Sequence, residues 1–574
     1  MVKKISALAL AGLIALPTIA SASNGDMQAQ IDALTRQLEA LKAQMEETTE
    51  AIDDKSAKWD LASRIQFSGD FRTRLDNVSA TTKAHYSALD TADTMMANAV
   101  TNYGSEADAF NALYAGLLSL PADQRGAAIP GFAPLLAGVP VTAAQDYEND
   151  TNWTNRFRLN MRVQALENVE FKGRLAMYKS WGMQNNPLGQ DVLGPYTLSS
   201  MGFDGNSSRT MGSNALVVDR AIVNWNNIGG LPVWFSIGRR PTSDGPPAQL
   251  RLGSDERMAT PAAFMDYPFD GLTVGYAYQN LFGLTDGPGR IRFCYGRGFE
   301  SGPTTTASTG LNDVDFAGFA WDIYNKEDRF VYFQSYGAFN MFNVPDNVTF
   351  PNPLEIAMQD NMGSIVGDDN IEDVMDLAAI QAGAANGILD RANLGDIYHT
   401  SVVYKDKVDN FNFFVSGSWS HTNPRGWDEA GNSLLTSWWG DLQEKDGYSI
   451  YLGGRYDIPD MGLRFGAEYN HGTENWISFT PGHDELYQSK LATRGDVYEV
   501  YGIWDIPGGE AVSKFGKAFM RLGYMHYEYD YTGSGYWLGA PADMDELTTS
   551  PLNAQFYAPI EDMDQVYLTF EANF

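Results

Sequence analysis

The last nine residues of the chain, Val566-Tyr567-Leu568-Thr569-Phe570-Glu571-Ala572-Asn573-Phe574, alternate between two kinds of side chain. In an extended strand, successive side chains point to opposite faces. One face of this segment is therefore wholly apolar and consists of Val566, Leu568, Phe570, Ala572 and Phe574. A strand with one apolar face and one mixed face is typical of the wall of a membrane barrel, which separates lipid from a water-filled interior.

The same period of two recurs upstream. Residues 64–75, 156–165 and 169–178 alternate apolar with polar or basic side chains, and Leu166-Glu167-Asn168 forms a turn between the last two. Roughly ten residues is the length that a tilted strand needs to cross a bilayer. A soluble sandwich also alternates, but the terminal segment resembles the C-terminal assembly signal of bacterial outer-membrane barrels. Position and pattern together favour a membrane barrel.

Links between the candidate strands alternate in length. Short links fall at 166–168, 227–230, 405–410 and 457–461, and long ones at about 76–153, 181–215, 341–395, 421–445, 472–494 and 531–563. This is the pattern of short periplasmic turns and long extracellular loops. Seventeen segments qualify as strands, including 261–267, but termini on one side require an even number. We exclude Ile291 to Tyr295, which sits between Gly-rich segments. The prediction is an all-β, closed antiparallel transmembrane β-barrel of about 16 strands, with 18 as the alternative.

Two segments precede the barrel. Residues 1–22 have a basic start, an apolar stretch from Ile5 to Ile19 and an Ala20-Ser21-Ala22 cleavage site, which predicts a secretory signal peptide. An uncleaved membrane anchor is the alternative. Residues 59–574 are assigned to the barrel.

Residues 23–58 are predicted to form a short periplasmic coiled-coil helix. Their apolar seam runs through Met27, Ile31, Leu34, Leu38, Leu41, Met45 and Ile52. This heptad spacing calls for partner helices, and a homotrimer is one arrangement that it allows. The alternative is a helix that lies on its own domain.

Composition excludes several classes of function. The 574 residues carry 72 acidic and 40 basic side chains, a net charge of −32, which argues against a nucleic-acid partner. The single cysteine, Cys294, excludes an intrachain disulfide, a zinc site built from several cysteines and a covalent haem of the C-x-x-C-H type.

Signals for catalysis and for metals are weak. None of the six histidines belongs to an H-E-x-x-H motif, and no G-x-S-x-G elbow occurs. We predict that the protein is not an enzyme, has no catalytic residue and needs no cofactor or metal. Two weaker metal hypotheses are a loop flanked by His471 and His483 with Glu474, Asp484 and Glu485, and calcium at 367–373, where a solvated acidic surface is the alternative.

The polar face of the first strands is basic. Its candidate pore-lining residues are Arg72, Arg74, Arg156, Arg158, Arg162, Lys172, Arg174, Arg220 and Arg240. Clustered arginines at a constriction attract anions and impede cations. The alternative is a structural network in which they pair with acidic residues, some from a folded-in loop. Helical character in the long loops at 86–120 and 354–395 predicts either inward pore loops or a surface cap.

Four stretches carry a family resemblance. Residues 238–247 (GRRPTSDGPP), 264–271 (FMDYPFDG), 468–472 (EYNHG) and 487–498 (YQSKLATRGDVY) resemble a family of bacterial outer-membrane, porin-like proteins labelled as a domain of unknown function. The resemblance implies a barrel in the outer membrane and gives no agreed substrate or catalytic residue. A coiled coil ahead of a barrel is also similar to trimeric anion-selective porins.

These inferences lead to one prediction and one alternative. The prediction is a porin-like channel in the outer membrane of a Gram-negative bacterium, through which small hydrophilic solutes diffuse, with a bias toward anions if the arginines line open water. The alternative is a barrel scaffold or sheath for a partner protein, such as an electron-transfer conduit, or a surface-interaction protein. The expected partners are outer-membrane lipid, further copies of the chain and a periplasmic or surface protein.

Overall fold

The structure is a computed structural model that describes residues 39, 42, 64–104, 133–182, 216–240, 247–252, 265, 269–279, 281–300, 312–342, 392–427, 432–437, 441–480, 485–486, 488–508, 516–555 and 558–574. The predicted signal peptide, the acidic segment 367–373 and most of the loop at 354–395 lie outside these residues. Within the predicted coiled coil, only Glu39 and Lys42 are described, and both are helical. The chain divides into two compact units, Met1–Gln66 and Phe67–Phe574.

Sixteen antiparallel strands close into a barrel, so the predicted fold and strand number are confirmed. The barrel strands are β1 (Ile65–Thr82), β4 (Asp146–Leu166), β5 (Val169–Ser180), β6 (Val217–Trp225), β7 (Val233–Arg240), β8 (Phe269–Gln279), β9 (Pro288–Phe299), β10 (Val314–Lys326), β11 (Arg329–Phe342), β12 (Asn393–Val408), β13 (Phe411–Pro424), β14 (Lys445–Ile458), β15 (Leu463–Gly472), β16 (Gly495–Asp505), β17 (Lys517–Tyr529) and β18 (Ile560–Asn573). Each strand pairs with its neighbours in the chain, and β1 lies between β18 and β4.

The barrel closes where the last strand meets the first. The register runs from Asp70 opposite Asn573 to Thr82 opposite Ile560. Beyond it, the backbone N–H of Gly69 donates to the carbonyl of Phe574 at 2.8 Å, and that of Phe574 donates back at 3.0 Å. A Cβ on Gly69 would lie 2.7 Å from the Phe574 ring and 2.6 Å from the carbonyl of Arg158 on β4. A glycine is therefore required at the point where the two strands join.

The alternation read from the sequence separates the two faces of the wall. On β1, Phe71 is 37% exposed while its neighbour Arg72 is fully buried. The same holds around the barrel, where the exposed large side chains include Val274, Phe293, Val415, Leu452, Val500, Leu522 and Leu568. An apolar exterior of this kind is what hydrocarbon covers in a transmembrane barrel.

Two strand assignments were wrong. Residues 291–295 belong to a full strand, β9, which pairs with both β8 and β10. Of the candidate strand at 261–267, only Met265 is described, and it forms an isolated parallel bridge with Phe479 instead of joining the barrel. The glycines of β9 do not break it, because they make room for rings. A Cβ on Gly289 would meet the Tyr278 ring at 2.2 Å.

Connections alternate between short and long, as predicted. Seven short ones lie at the end of the barrel where β1 begins and β18 ends, and eight long ones lie at the opposite end. The first long loop is shorter than predicted, because β1 continues to Thr82 and β4 begins at Asp146. It contains a two-stranded antiparallel sheet of β2 (His85–Tyr86) and β3 (Val141–Thr142). It also contains the helix α1 (Ala88–Tyr103), whose N-cap is Ser87.

No helix in the described part of the chain is both long enough and apolar enough to cross a membrane.

Several long loops contact the inner face of the strands. In loop 473–494, the Trp476 ring lies 5.2 Å from that of His399 on β12, and the Phe479 ring lies 5.9 Å from that of Tyr336 on β11. The short helix α2 (Gln249–Leu252) places Leu250 in a buried cluster with Tyr451 on β14. Loop residues thus occupy part of the barrel interior.

Candidate functional site

The nine predicted pore-lining residues, called the basic ladder from here on, lie on the inner face of the barrel. Most of them lie beside carboxylates. Arg156 Nε and Arg158 Nε donate to the two oxygens of Asp70 at 2.9 and 2.7 Å. Arg156 Nη2 also lies 2.9 Å from Glu571 Oε1. Arg72 is buried directly across from Glu571. Strand register, and not sequence proximity, supplies these partners.

The pairing continues on the neighbouring strands. Arg174 Nη2 lies 2.7 Å from Asp219 Oδ2, with both side chains buried, and Arg220 sits opposite Arg174 in the register of β5 and β6. Glu170 accepts from Arg162 at 2.6 Å and from Lys172 at 2.7 Å. Arg74 Nε donates to Asp76 at 2.7 Å. These ion pairs match the structural network that the sequence analysis gives as the alternative. The role of these residues in a pore stays a prediction.

A second buried network joins two loops to β15 and β16. Arg251 on α2 contacts Glu485 at 2.7 Å and Glu499 at 3.4 Å. Lys490 contacts Glu499 at 2.5 Å and also pairs with Glu468. All five side chains are at most 1% exposed. Each of the three carboxylates therefore lies at contact distance from Arg251 or Lys490.

The charge on α2 is held in place by this network. Burial disfavours the charged form of Arg251, but the carboxylates of Glu499 and Glu485 outweigh it and hold the pKa of the guanidinium above its ordinary value. Arg521 Nη1 on β17 donates to the carbonyl of Arg251 at 2.8 Å. Side chain and backbone of Arg251 thus tie the loop to two strands.

Arg494 joins two further loops in the same way. Its guanidinium donates to the carbonyls of Trp476 at 3.1 Å, Thr532 at 2.9 Å and Tyr536 at 2.7 Å. Arg494 therefore lies at the junction between loop 473–494 and β16, which begins at Gly495.

Two arginines of the inner face, on β7 and β9, share a cavity. Arg240 and Arg292 line a cavity of about 110 Å³ against β7 to β11, together with Thr273, Cys294, Gly318 and Gln334. Arg240 donates to Ser236 Oγ, and Arg292 donates to the Tyr332 hydroxyl and lies over its ring. In the described part of the chain neither guanidinium forms an ion pair. Asp322 is close enough to act on Arg292 electrostatically, but its Oδ2 accepts from Arg290 Nε at 2.7 Å.

Half of this basic pair was missed in the sequence. Arg240 is among the predicted pore-lining residues, whereas Arg292 lies in the segment that we excluded as a strand. The pattern Arg290-x-Arg292-x-Cys294, with Ile291 and Phe293 between them, carries the missed signal. Phe293 is 63% exposed on the outer face, so Arg292 must point inward.

The described histidines and carboxylates form one group with metal-ligand spacing. His471, Asp496 and Asp530 offer ligand atoms within 4.8 Å of one another at the long-loop end of the barrel. His483 and Asp484 of the predicted loop grouping lie outside the described residues.

A family model matches most of the chain. Residues 146–574 match the family described as "Protein of unknown function (DUF3373)". No curated protein matches the chain.

Solved outer-membrane structures show a low-level likeness. OmpT of Vibrio cholerae, described as outer-membrane expressed, is 9% identical, with 89% of this chain and 97% of that chain covered and a TM-score of 0.34. OprB of Pseudomonas putida is 10% identical, with 91% and 97% covered and a TM-score of 0.38. The outer membrane channel DcaP of Acinetobacter baumannii is 11% identical, with 89% and 97% covered and a TM-score of 0.35.

Proposed function

The chain belongs to the DUF3373 family of proteins of unknown function, and for it we propose a porin-like channel in the outer membrane that passes small hydrophilic solutes and favours anions. Two features of the molecule support a channel. The strands form a closed barrel, and its outer wall exposes large apolar side chains all around. A barrel leaves no unpaired strand edge in lipid, where an unsatisfied backbone group costs several kcal/mol.

The anion preference rests on Arg240 and Arg292. Both guanidiniums face the same cavity, and neither forms an ion pair among the described residues. Most other arginines of the ladder lie beside carboxylates, which offset much of their field. Fixed positive charge next to a low-dielectric wall concentrates anions locally, even in a protein with a net charge of −32.

Planar-bilayer recording in a KCl gradient tests this proposal. The refolded protein should give discrete conductance steps and a reversal potential shifted toward the equilibrium potential of chloride. The Arg240→Gln/Arg292→Gln double variant should move that reversal potential toward zero. Arg162→Gln is the matched control, because Arg162 is paired with Glu170 and its side chain is 51% exposed. A folded protein without conductance would refute the channel, and an unchanged reversal potential in the double variant would refute the role of the pair.

A second candidate function follows from the loop residues that fill part of the barrel interior. Loops 247–252 and 473–494 put Arg251, Trp476 and Lys490 into the interior, where each is buried. An interior packed in this way favours a scaffold or sheath for a periplasmic or surface protein. Purification of the tagged protein in mild detergent tests it, because a stoichiometric partner and absent conductance together would favour this function. The same purification gives the oligomeric state, for which we propose a homotrimer through residues 23–58.

A further inference from the structure

One three-residue pattern repeats on the outward face at the long-loop end of the barrel. An aromatic residue and, two positions later, a basic residue both bond the same carboxylate on the next strand. The sets are Tyr295, Arg297 and Asp315; Trp419, His421 and Asp446; Tyr469, His471 and Asp496; and Tyr524, His526 and Asp564. In each set the basic residue lies directly opposite the aspartate in the strand register.

The geometry of the four sets is nearly the same. In each, one Oδ1 oxygen accepts both bonds. Tyr469 OH donates to Asp496 Oδ1 at 2.6 Å, and His471 Nδ1 lies 2.9 Å from that oxygen. In the set on β9 and β10, Arg297 takes the place of histidine, with Nε 2.7 Å from Asp315. The carboxylate therefore receives a fixed positive charge only in that set.

The set on β15 and β16 has a feature that the others lack. Asp530, directly after β17, brings a second carboxylate to His471 and Asp496, and the three ligand atoms lie within 4.8 Å of one another. The backbone N–H of Asp530 donates to the carbonyl of Arg494 at 3.0 Å, which fixes its position beside the start of β16. In the set of His421, the extra carboxylate Glu444 lies 3.8 Å from Nε2, while Asp446 is on Nδ1, so the two flank opposite sides of the ring.

Negative charge collects at this point without a cation to balance it. Glu528 faces Asp496 across the register of β16 and β17. Within the described residues, Asp496, Glu528 and Asp530 form no ion pair with any lysine or arginine. Among the described residues, the imidazole of His471 is the single basic group in contact with them. A bound cation would supply the missing charge.

We propose that His471, Asp496 and Asp530 bind a divalent transition-metal ion at the outer rim of the barrel. One imidazole and two carboxylates suit Zn²⁺ and its neighbours, while calcium and magnesium prefer oxygen alone. Two tetrahedral ligands at about 2.1 Å from one ion lie about 3.4 Å apart, so the widest of the present separations, at most 4.8 Å, has to close by up to about 1.4 Å. The remaining coordination positions face solvent and are open to water or an exogenous ligand.

Isothermal titration of the full-length, refolded protein with Zn²⁺ tests this site. The wild-type protein should bind one ion per chain. His471→Ala and Asp530→Asn should each weaken that binding at least tenfold. His526→Ala is the matched control, because it removes a histidine from a set whose neighbouring carboxylate, Asp562, is not at metal-ligand spacing, and it should bind within twofold of wild type.

Substitution with Co²⁺ gives a second readout. The visible absorption of the bound ion reports its coordination geometry, and it should be lost in His471→Ala and kept in His526→Ala. Heat-dependent gel mobility verifies that each variant is a folded barrel. The site would be refuted if folded wild-type protein showed no saturable binding, if Asp530→Asn bound as tightly as wild type, or if the two histidine variants lost equal affinity.

Discussion

At the residue scale, the interior shows what each buried charge requires. Lys490 lies between Glu468 and Glu499, and Tyr451 and Tyr567 each donate a hydroxyl to one of these carboxylates at 2.5 Å. Such a network is demanding, because the loss of one member leaves its partners charged and desolvated.

Lys490→Met should therefore be strongly destabilising. Breaking a buried ion pair from one side costs about 3–5 kcal/mol, and here Glu468 loses its cation while Glu499 keeps only Arg251, at 3.4 Å. Urea unfolding in detergent, followed by tryptophan fluorescence, measures the loss. Lys83→Gln is the control, since Lys83 pairs with Glu561 at the solvent-exposed rim, where ion pairs contribute about 0–1 kcal/mol. Equal losses in the two variants would contradict this account.

The single cysteine makes the charge of the cavity measurable. Cys294 is half-buried beside Arg240 and Arg292 and accepts a 3.4 Å hydrogen bond from Thr273. A negatively charged methanethiosulfonate should modify it about tenfold faster than a positively charged one, which corresponds to about 1.4 kcal/mol of electrostatic preference. Mass spectrometry gives the rates, normalised to a small free thiol. The ratio should approach one in Arg240→Gln/Arg292→Gln, and an unchanged ratio there would count against the basic cavity.

At the element scale, closure depends on the pairing of β1 with β18. Gly69 and Phe574 exchange two backbone hydrogen bonds, and a Cβ at Gly69 has no room. Gly69→Val should cost about 1–3 kcal/mol of overpacking and lower the yield of folded barrel, which heat-dependent gel mobility measures. Gly417→Val is the control, because a Cβ there meets nothing within 4 Å on the outer face of β13. If both variants folded with wild-type yield, the fit at Gly69 would not matter.

The strands were predictable because lipid constrains every second side chain along each of them. The error at β9 has a physical cause. Gly289 and Gly296 read as strand breakers, but they face the rings of Tyr278 and Phe269 on β8, a contact between strands that one segment cannot show. Because this strand was not predicted, Arg292 was missed as well, and it is one of the two arginines that line the cavity.

Ion pairing could not be read from the sequence for a related reason. Asp70 binds Arg156 and Arg158, more than 80 positions away, because β1 lies next to β4 in the closed barrel. The inward direction of the arginines follows from alternation. Whether each one is neutralised depends on strand register and on loop entry, and neither is set by local pattern.

At the scale of the whole molecule, loop length gives the barrel two unlike ends. The eight long connections should face the exterior of the cell, and the seven short ones the periplasm. An epitope tag inserted after Gly104, which ends α1, should bind antibody on intact cells. The same tag in the turn between Asp409 and Asn410 should bind only after the outer membrane is permeabilised. The opposite pattern would reverse the orientation, and heat-dependent mobility verifies that both insertions fold.

The pairing of β18 with β1 also determines when the folding chain stops being prone to aggregation. The two partners are separated by almost the whole chain, so a sheet that lacks β18 cannot close and leaves two strand edges unpaired. Until the final hairpin arrives, those edges can template sheet growth with other chains, and contacts so distant in sequence form slowly. We therefore expect the unclosed chain to be the aggregation-prone species, and the pairing of β18 with β1 to be the step that removes this risk.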